Sequence, residues 1–154
     1  MNAQEDGVLS KVRTTYKTRD KNTCMYFFSM TIVHHHLLYQ AKVGNDDLGE
    51  DSQEKLEKFL YDLLKVIDMQ CLIPAQLKFS HQKAWTGIVG VITSHVAFHF
   101  WTQERYVQLD IYSCKEFDRK KAVNFLNEFW RASEVNALFI DREIGKNFKI
   151  EKID

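Results

Sequence analysis

Apolar and polar residues alternate over two consecutive stretches, Val96–Phe100 and Val107–Ile111, while over 56–67 and 122–130 the apolar residues recur three and four apart. A period of two marks a half-buried strand, and three-and-four spacing marks an amphipathic helix. The first helical stripe is Leu56, Phe59, Leu60, Leu63, Leu64 and Ile67, and Asp51 with Glu54 resembles a capping box, so a helix is predicted over 52–69. The second stripe is Ala122, Val123, Phe125, Leu126, Phe129 and Trp130, with Asp118 placed to cap it. Enrichment in β-branched and aromatic residues predicts extended chain over 24–43, 70–79 and 87–93. "GIVGVIT" is apolar on both faces and reads as a central strand; "GNDDLGEDS" reads as a turn, and "NALFID", from about Asn136, as the last strand. Strands gathered around two amphipathic helices predict an α+β domain with one sheet face covered by helices. Residues 1–22 lack apolar periodicity and read as a loose extension, leaving 23–154 as a single domain.

Alternation also predicts what the other sheet face carries. On 95–101, Val96, Phe98 and Phe100 share one face, and His95, Ala97, His99 and Trp101 share the opposite one. On the return strand, Val107, Leu109 and Ile111 are apolar, and Tyr106, Gln108, Asp110, Tyr112 and Cys114 face the other way. In the first strand Val33, Leu37, Ala41 and Val43 read as core-facing, and His34, His36 and Gln40 as outward. A four-residue loop, 102–105, sets Trp101 opposite Tyr106, His99 opposite Gln108, and Cys114 opposite Thr93. Ser94, His99 and Cys114 are thereby expected on one short length of sheet. Strict alternation turns Ser94 toward the core, so a bulge or kink at Thr93–Ser94 is needed for it to meet Cys114.

Composition narrows the function. A chain of 154 residues, 45% hydrophobic and 27% charged, is that of an ordinary globular domain. Lys+Arg and Asp+Glu both total 21, so no overall field recruits nucleic acid or an anionic membrane. No signal peptide or membrane span is legible, and three cysteines without CxxC spacing point to a reducing, cytoplasmic setting. Cys24 and Cys71, among apolar neighbours, read as packing residues. His34 and His36 stand about 6.6 Å apart on one strand face, but no cysteine or carboxylate spacing completes a zinc site, and no metal is expected.

The segment "TGIVGVITSHVAFHFWTQERYVQLDIYSC", residues 86–114, resembles the signature of the prokaryotic S-adenosylmethionine decarboxylases, roughly SGVVxxxESHxxIHTWPExxYAAxDxxTC. Gly87, Ser94, His95, His99, Trp101, Tyr106, Asp110 and Cys114 match in register without a gap. The likeness extends over about 31–140, "HLL" at His36–Leu38 resembling the family's opening strand, and is dense only in 86–114. It implies a two-layer sandwich with a mainly antiparallel sheet and helices on one face, dimerising into a four-layer αββα arrangement. It also implies a small-molecule substrate and a pyruvoyl group made from Ser94, on which substrate is held as a Schiff base. The proenzyme would cut itself at Thr93–Ser94. On this resemblance His99 and Thr86 assist processing, Cys114 is the proton donor of turnover, and Trp101, Gln103 and His36 bind substrate. A thiol carries its proton at neutral pH and so can serve as such a donor.

Three departures bear on function. The signature has glutamate where Thr93 stands, Trp-Pro-Glu where Trp101-Thr102-Gln103 stands, and an aromatic with a Pro-x-Gly turn where "FSHQKAWTG" stands. Phe79 or Trp85 are the candidates for the missing adenine-stacking aromatic. S-adenosylmethionine is the expected substrate. The alternatives are a basic amino acid, ornithine or arginine, and an uncleaved non-catalytic homologue acting as a structural or regulatory subunit.

Overall fold

The computed structural model describes residues 33–142 and 147–153. The extension expected over 1–22, the start of the domain at 23, the strand expected over 24–32 and Cys24 lie outside the described residues. The elements run β1 (His35–Val43), α1 (Gln53–Val66), β2 (Cys71–Phe79), β3 (Ala84–Val91), β4 (Ser94–Trp101), β5 (Tyr106–Ser113), α2 (Arg119–Trp130), β6 (Ala132–Asp141) and β7 (Lys149–Ile153). The strands form one sheet in the order β2-β3-β4-β5-β1-β6-β7, and every pairing is antiparallel. The expected α+β fold with helices on one sheet face is present.

The buried stripes meet between sheet and helices. Trp130 is fully buried, with its ring 5.1 Å from Phe59, 5.9 Å from Phe98 and 5.3 Å from Phe100. Such close aromatic pairs each add about 0.5–1.5 kcal/mol beyond area burial. The Phe98 ring packs against Gly87, where a Cβ would come within 2.3 Å of it, so only glycine fits there.

Several expectations need correction. The capping box does not form: the N-cap of α1 is Ser52, whose hydroxyl accepts from the Gly49 N–H at 2.8 Å instead of bonding the helix. That helix ends at Val66, short of 69. Asp118 does cap α2, accepting from the Lys121 N–H at 3.0 Å, and Arg131 closes it in the left-handed conformation. "NALFID" is not the last strand, since β6 already starts at Ala132 and β7 pairs with it. "GIVGVIT" is interior but off-centre, one strand from the β2 edge, and its outward Ile88 is exposed. Cys71 is exposed at the start of the edge strand, not packed. Among the described residues no helix is long and apolar enough to cross a membrane.

Candidate active site

The hairpin register is the one alternation predicts: Trp101 pairs with Tyr106 and His99 with Gln108. β3 and β4 are joined by a two-residue turn, Ile92-Thr93, closed by the pair Val91 and Ser94. The kink falls there, not in the strand: Thr93 takes φ 57°, in the left-handed region. At the frayed end of the β4–β5 ladder Ser94 then meets Cys114. Its hydroxyl accepts from the Cys114 N–H at 3.1 Å and donates to Cys114 Sγ at 3.6 Å. The same sulfur touches the Thr93 hydroxyl and lies 3.8 Å from the Ile92 carbonyl oxygen. A nucleophilic hydroxyl, a thiol and a strained peptide are thus gathered at one turn.

His99 is not among them. It shares a 3.0 Å hydrogen bond between its Nδ1 and Thr86 Oγ1, paired across β3 and β4. Five strand positions separate it from Ser94, roughly 16 Å. Trp101 lies beyond it, its ring 5.9 Å from His99, and Gln103 is exposed in the following turn. Trp101 is seven positions from Ser94, about 23 Å. The expected single cluster is therefore two, at opposite ends of strand β4.

Phe79 and Trp85 belong to neither. They pair across β2 and β3 and turn to the helix side, where Trp85 is 3% exposed and donates its Nε1–H to the Gly49 carbonyl at 2.8 Å. They cannot stack on a ligand held at the open face.

Between Ser94 and the β2 edge lies a cleft of about 320 Å³, lined by Ile73, Ile88, Gly90, Ser94, His95 and Asp110 among others. Its wall is a bulge: β2 loses register between Cys71 and Gln76, across Pro74. Ile73 leans over Gly90, where a Cβ would come within 2.7 Å of it. Proline inside a predicted strand is the sequence signal for this bulge. Asp110, outward by register, is a further residue of this site that alternation alone does not single out. Its Oδ2 accepts from Nε2 of both His36 and His95, each at 3.2 Å. Burial pushes the Asp110 carboxyl up, but the bonds and charges of His36 and His95 outweigh it and hold it below the usual carboxylate range. Tyr112 stacks on His95 at 5.6 Å and bonds His34 Nδ1 through its hydroxyl at 2.7 Å.

The fold and the site together define a two-layer α+β protein with a serine hydroxyl bonded to a cysteine beside a left-handed hairpin turn, at one end of its sheet. The family model for S-adenosylmethionine decarboxylase matches residues 35–143. The S-adenosylmethionine decarboxylase proenzyme of Pyrococcus abyssi is 30% identical over 118 residues, 76% of this chain and 83% of that one. The proenzyme of Clostridium botulinum strain Langeland is 30% identical over 95 residues, 61% and 80% of the two chains. The crystal structure of the adenosylmethionine decarboxylase from Aquifex aeolicus shares the fold, with TM-score 0.62 at 16% identity, covering 76% of this chain and 96% of that one. The chain belongs to the S-adenosylmethionine decarboxylase family.

Proposed function

We propose that the chain is a pyruvoyl-dependent S-adenosylmethionine decarboxylase, made as a proenzyme that cleaves itself between Thr93 and Ser94. One observation carries this: the Ser94 hydroxyl stands at the end of a left-handed turn, bonded to both the amide and the thiol of Cys114. Ser94 Oγ adds to the Thr93 carbonyl carbon, the peptide C–N bond breaks, and the hydroxyl proton passes to the nitrogen, leaving an ester. Loss of the Ser94 Cα proton then expels Thr93 as a carboxylate, and hydrolysis of the unsaturated residue consumes a water and releases ammonia. These residues suit a pyruvoyl group at position 94, which supplies an electron-accepting ketone for the substrate amine. Cys114 is then the acid that returns a proton to the substrate carbon after carbon dioxide leaves. Asp110 orients His36 and His95 along the cleft where the substrate chain lies.

His99, Thr86, Trp101 and Gln103 stand too far from Ser94 to serve it within one chain. We therefore take the enzyme to be a homodimer with open faces opposed, αββα, each copy lending these residues to the other's Ser94. The exposed Ile73 and Ile88 supply apolar surface for that contact. Residues 23–154 are taken as the working domain and the setting as cytoplasmic, in keeping with free Cys71 and Cys114 among the described residues.

A second reading, a basic amino acid as substrate, is favoured by the inward turn of Phe79 and Trp85 and by Gln103 in place of an acid. Carbon dioxide release from S-adenosylmethionine, ornithine and arginine separates the two: turnover of S-adenosylmethionine is expected, and turnover of ornithine or arginine alone would overturn the first. The shared site is tested by co-refolding His99→Ala with Ser94→Ala. Each alone should stay whole, and the mixture should cleave the His99→Ala chain. No cleavage in mixed dimers would return His99 to its own chain.

A further inference from the structure

Six residues other than glycine have positive φ among those described: Asp68, Lys83, Thr93, Arg105, Arg131 and Glu134. Five are unbranched at Cβ and tolerate the left-handed region at modest cost. Thr93 alone is β-branched, and for such a residue that region is a genuine outlier, because Cβ is driven against the following carbonyl. It cannot relax by itself. The turn has only two residues, and β3 and β4 are locked in register on either side, from Val91 and Ser94 to Ala84 and Trp101. Its hydroxyl bonds the neighbouring Ile92 carbonyl at 2.7 Å and touches Cys114 Sγ, local contacts that do not brace the backbone against the sheet.

We infer that Thr93 is a positioning residue for self-cleavage: its β-branched side chain, forced into the left-handed region, raises the energy of the intact Thr93–Ser94 peptide, and the acyl shift releases it. The inference rests on the cleavage proposed above. In that step the Thr93 acyl group leaves the Ser94 nitrogen for the Ser94 oxygen, with the proton moving the opposite way, so nothing is oxidised and no co-reactant is needed. The acyl carbon then hangs from a side chain instead of sitting in the turn, and Thr93 regains its backbone freedom. Exchange of an amide for an ester is uphill in a relaxed chain. Strain placed on the acyl residue offsets part of that cost.

The full-length chain tests this in two backgrounds. With Ser94→Ala blocking cleavage, Thr93→Asn and Thr93→Gly should each raise Tm, by roughly 2–4 °C for Asn. Asn is the cleaner arm, because glycine also loosens the unfolded chain. Unchanged or lower Tm for both overturns the inference. With Ser94 intact, Thr93→Asn should slow cleavage about tenfold and lower the ester fraction cut by hydroxylamine. Thr93→Val, branched but without the hydroxyl, should cleave at least as fast as the parent. Slow Thr93→Val beside fast Thr93→Ser would assign the effect to the hydroxyl and sink the inference while leaving the cleavage proposal standing. A parent chain that never cleaves would remove both.

Discussion

Strand β4 is bounded by two turns, each with one non-glycine residue in the left-handed region, Thr93 at φ 57° and Arg105 at φ 51°. They are held very differently. The Arg105 side chain donates to the carbonyls of Val43 at 3.3 Å, Leu48 at 2.8 Å and Asn45 at 2.5 Å, tying its turn to the loop that leads into α1. Thr102 adds two bonds to the Lys83 carbonyl, from its N–H at 3.0 Å and its hydroxyl at 2.8 Å. Among the described residues the Thr93 turn has only its own neighbours and a thiol. One turn converts an uncommon backbone into long-range bonds. The other leaves it uncompensated, at the bond proposed to break. Strained backbone clusters at reactive sites, where the surrounding structure holds it in place.

The largest effects are expected at the reactive turn. Ser94→Ala should abolish cleavage and all decarboxylation, seen as one full-length band on a denaturing gel; a variant that still splits would move the scissile bond elsewhere. Cys114→Ala should cleave yet turn over about 10²–10⁴-fold more slowly, and unchanged steady-state kcat would remove the thiol as proton donor. At the braced end, Arg105→Ala should cost ~2 kcal/mol, a fall in Tm of about 4–8 °C, with cleavage at position 93 still occurring. A Tm within a degree of the parent would mean that its three carbonyl bonds stabilise nothing.

The smallest effect lies on the open face. The Asp110 carboxyl is held below its usual range in the folded chain, so its contribution is present above the unfolded value and is lost as pH falls through the folded one. Asp110→Asn should therefore lower stability by less than about 1 kcal/mol near neutrality, since the pair is part-exposed, and the gap to the parent should close below about pH 4. A gap that widens on acidification would contradict this assignment.

Where pattern is local, it was legible. Alternation over 96–111 yields the pairing of Trp101 with Tyr106 because period two needs only neighbouring residues and one loop length. The same rule put Ser94 and Cys114 together and located the kink beside them. It misled for His99, because sharing a face says nothing about distance along a strand. It missed β7, whose "KIEKI" is charged and edge-exposed, and the start of β6, where "ASEVN" does not alternate by polarity. Cys71 looked buried from its apolar neighbours, but the edge position of β2 leaves it in water. The Asp110 contacts with His36 and His95 join three different strands, and such a cluster becomes visible only once strand order is known.

The most direct test is the intact mass, under denaturing conditions, of the purified full-length chain after prolonged incubation. Two fragments divided at Thr93 and Ser94 are expected, the C-terminal one lighter by an ammonia than plain hydrolysis would leave it. A single undivided species of 18.2 kDa in every preparation would contradict the account.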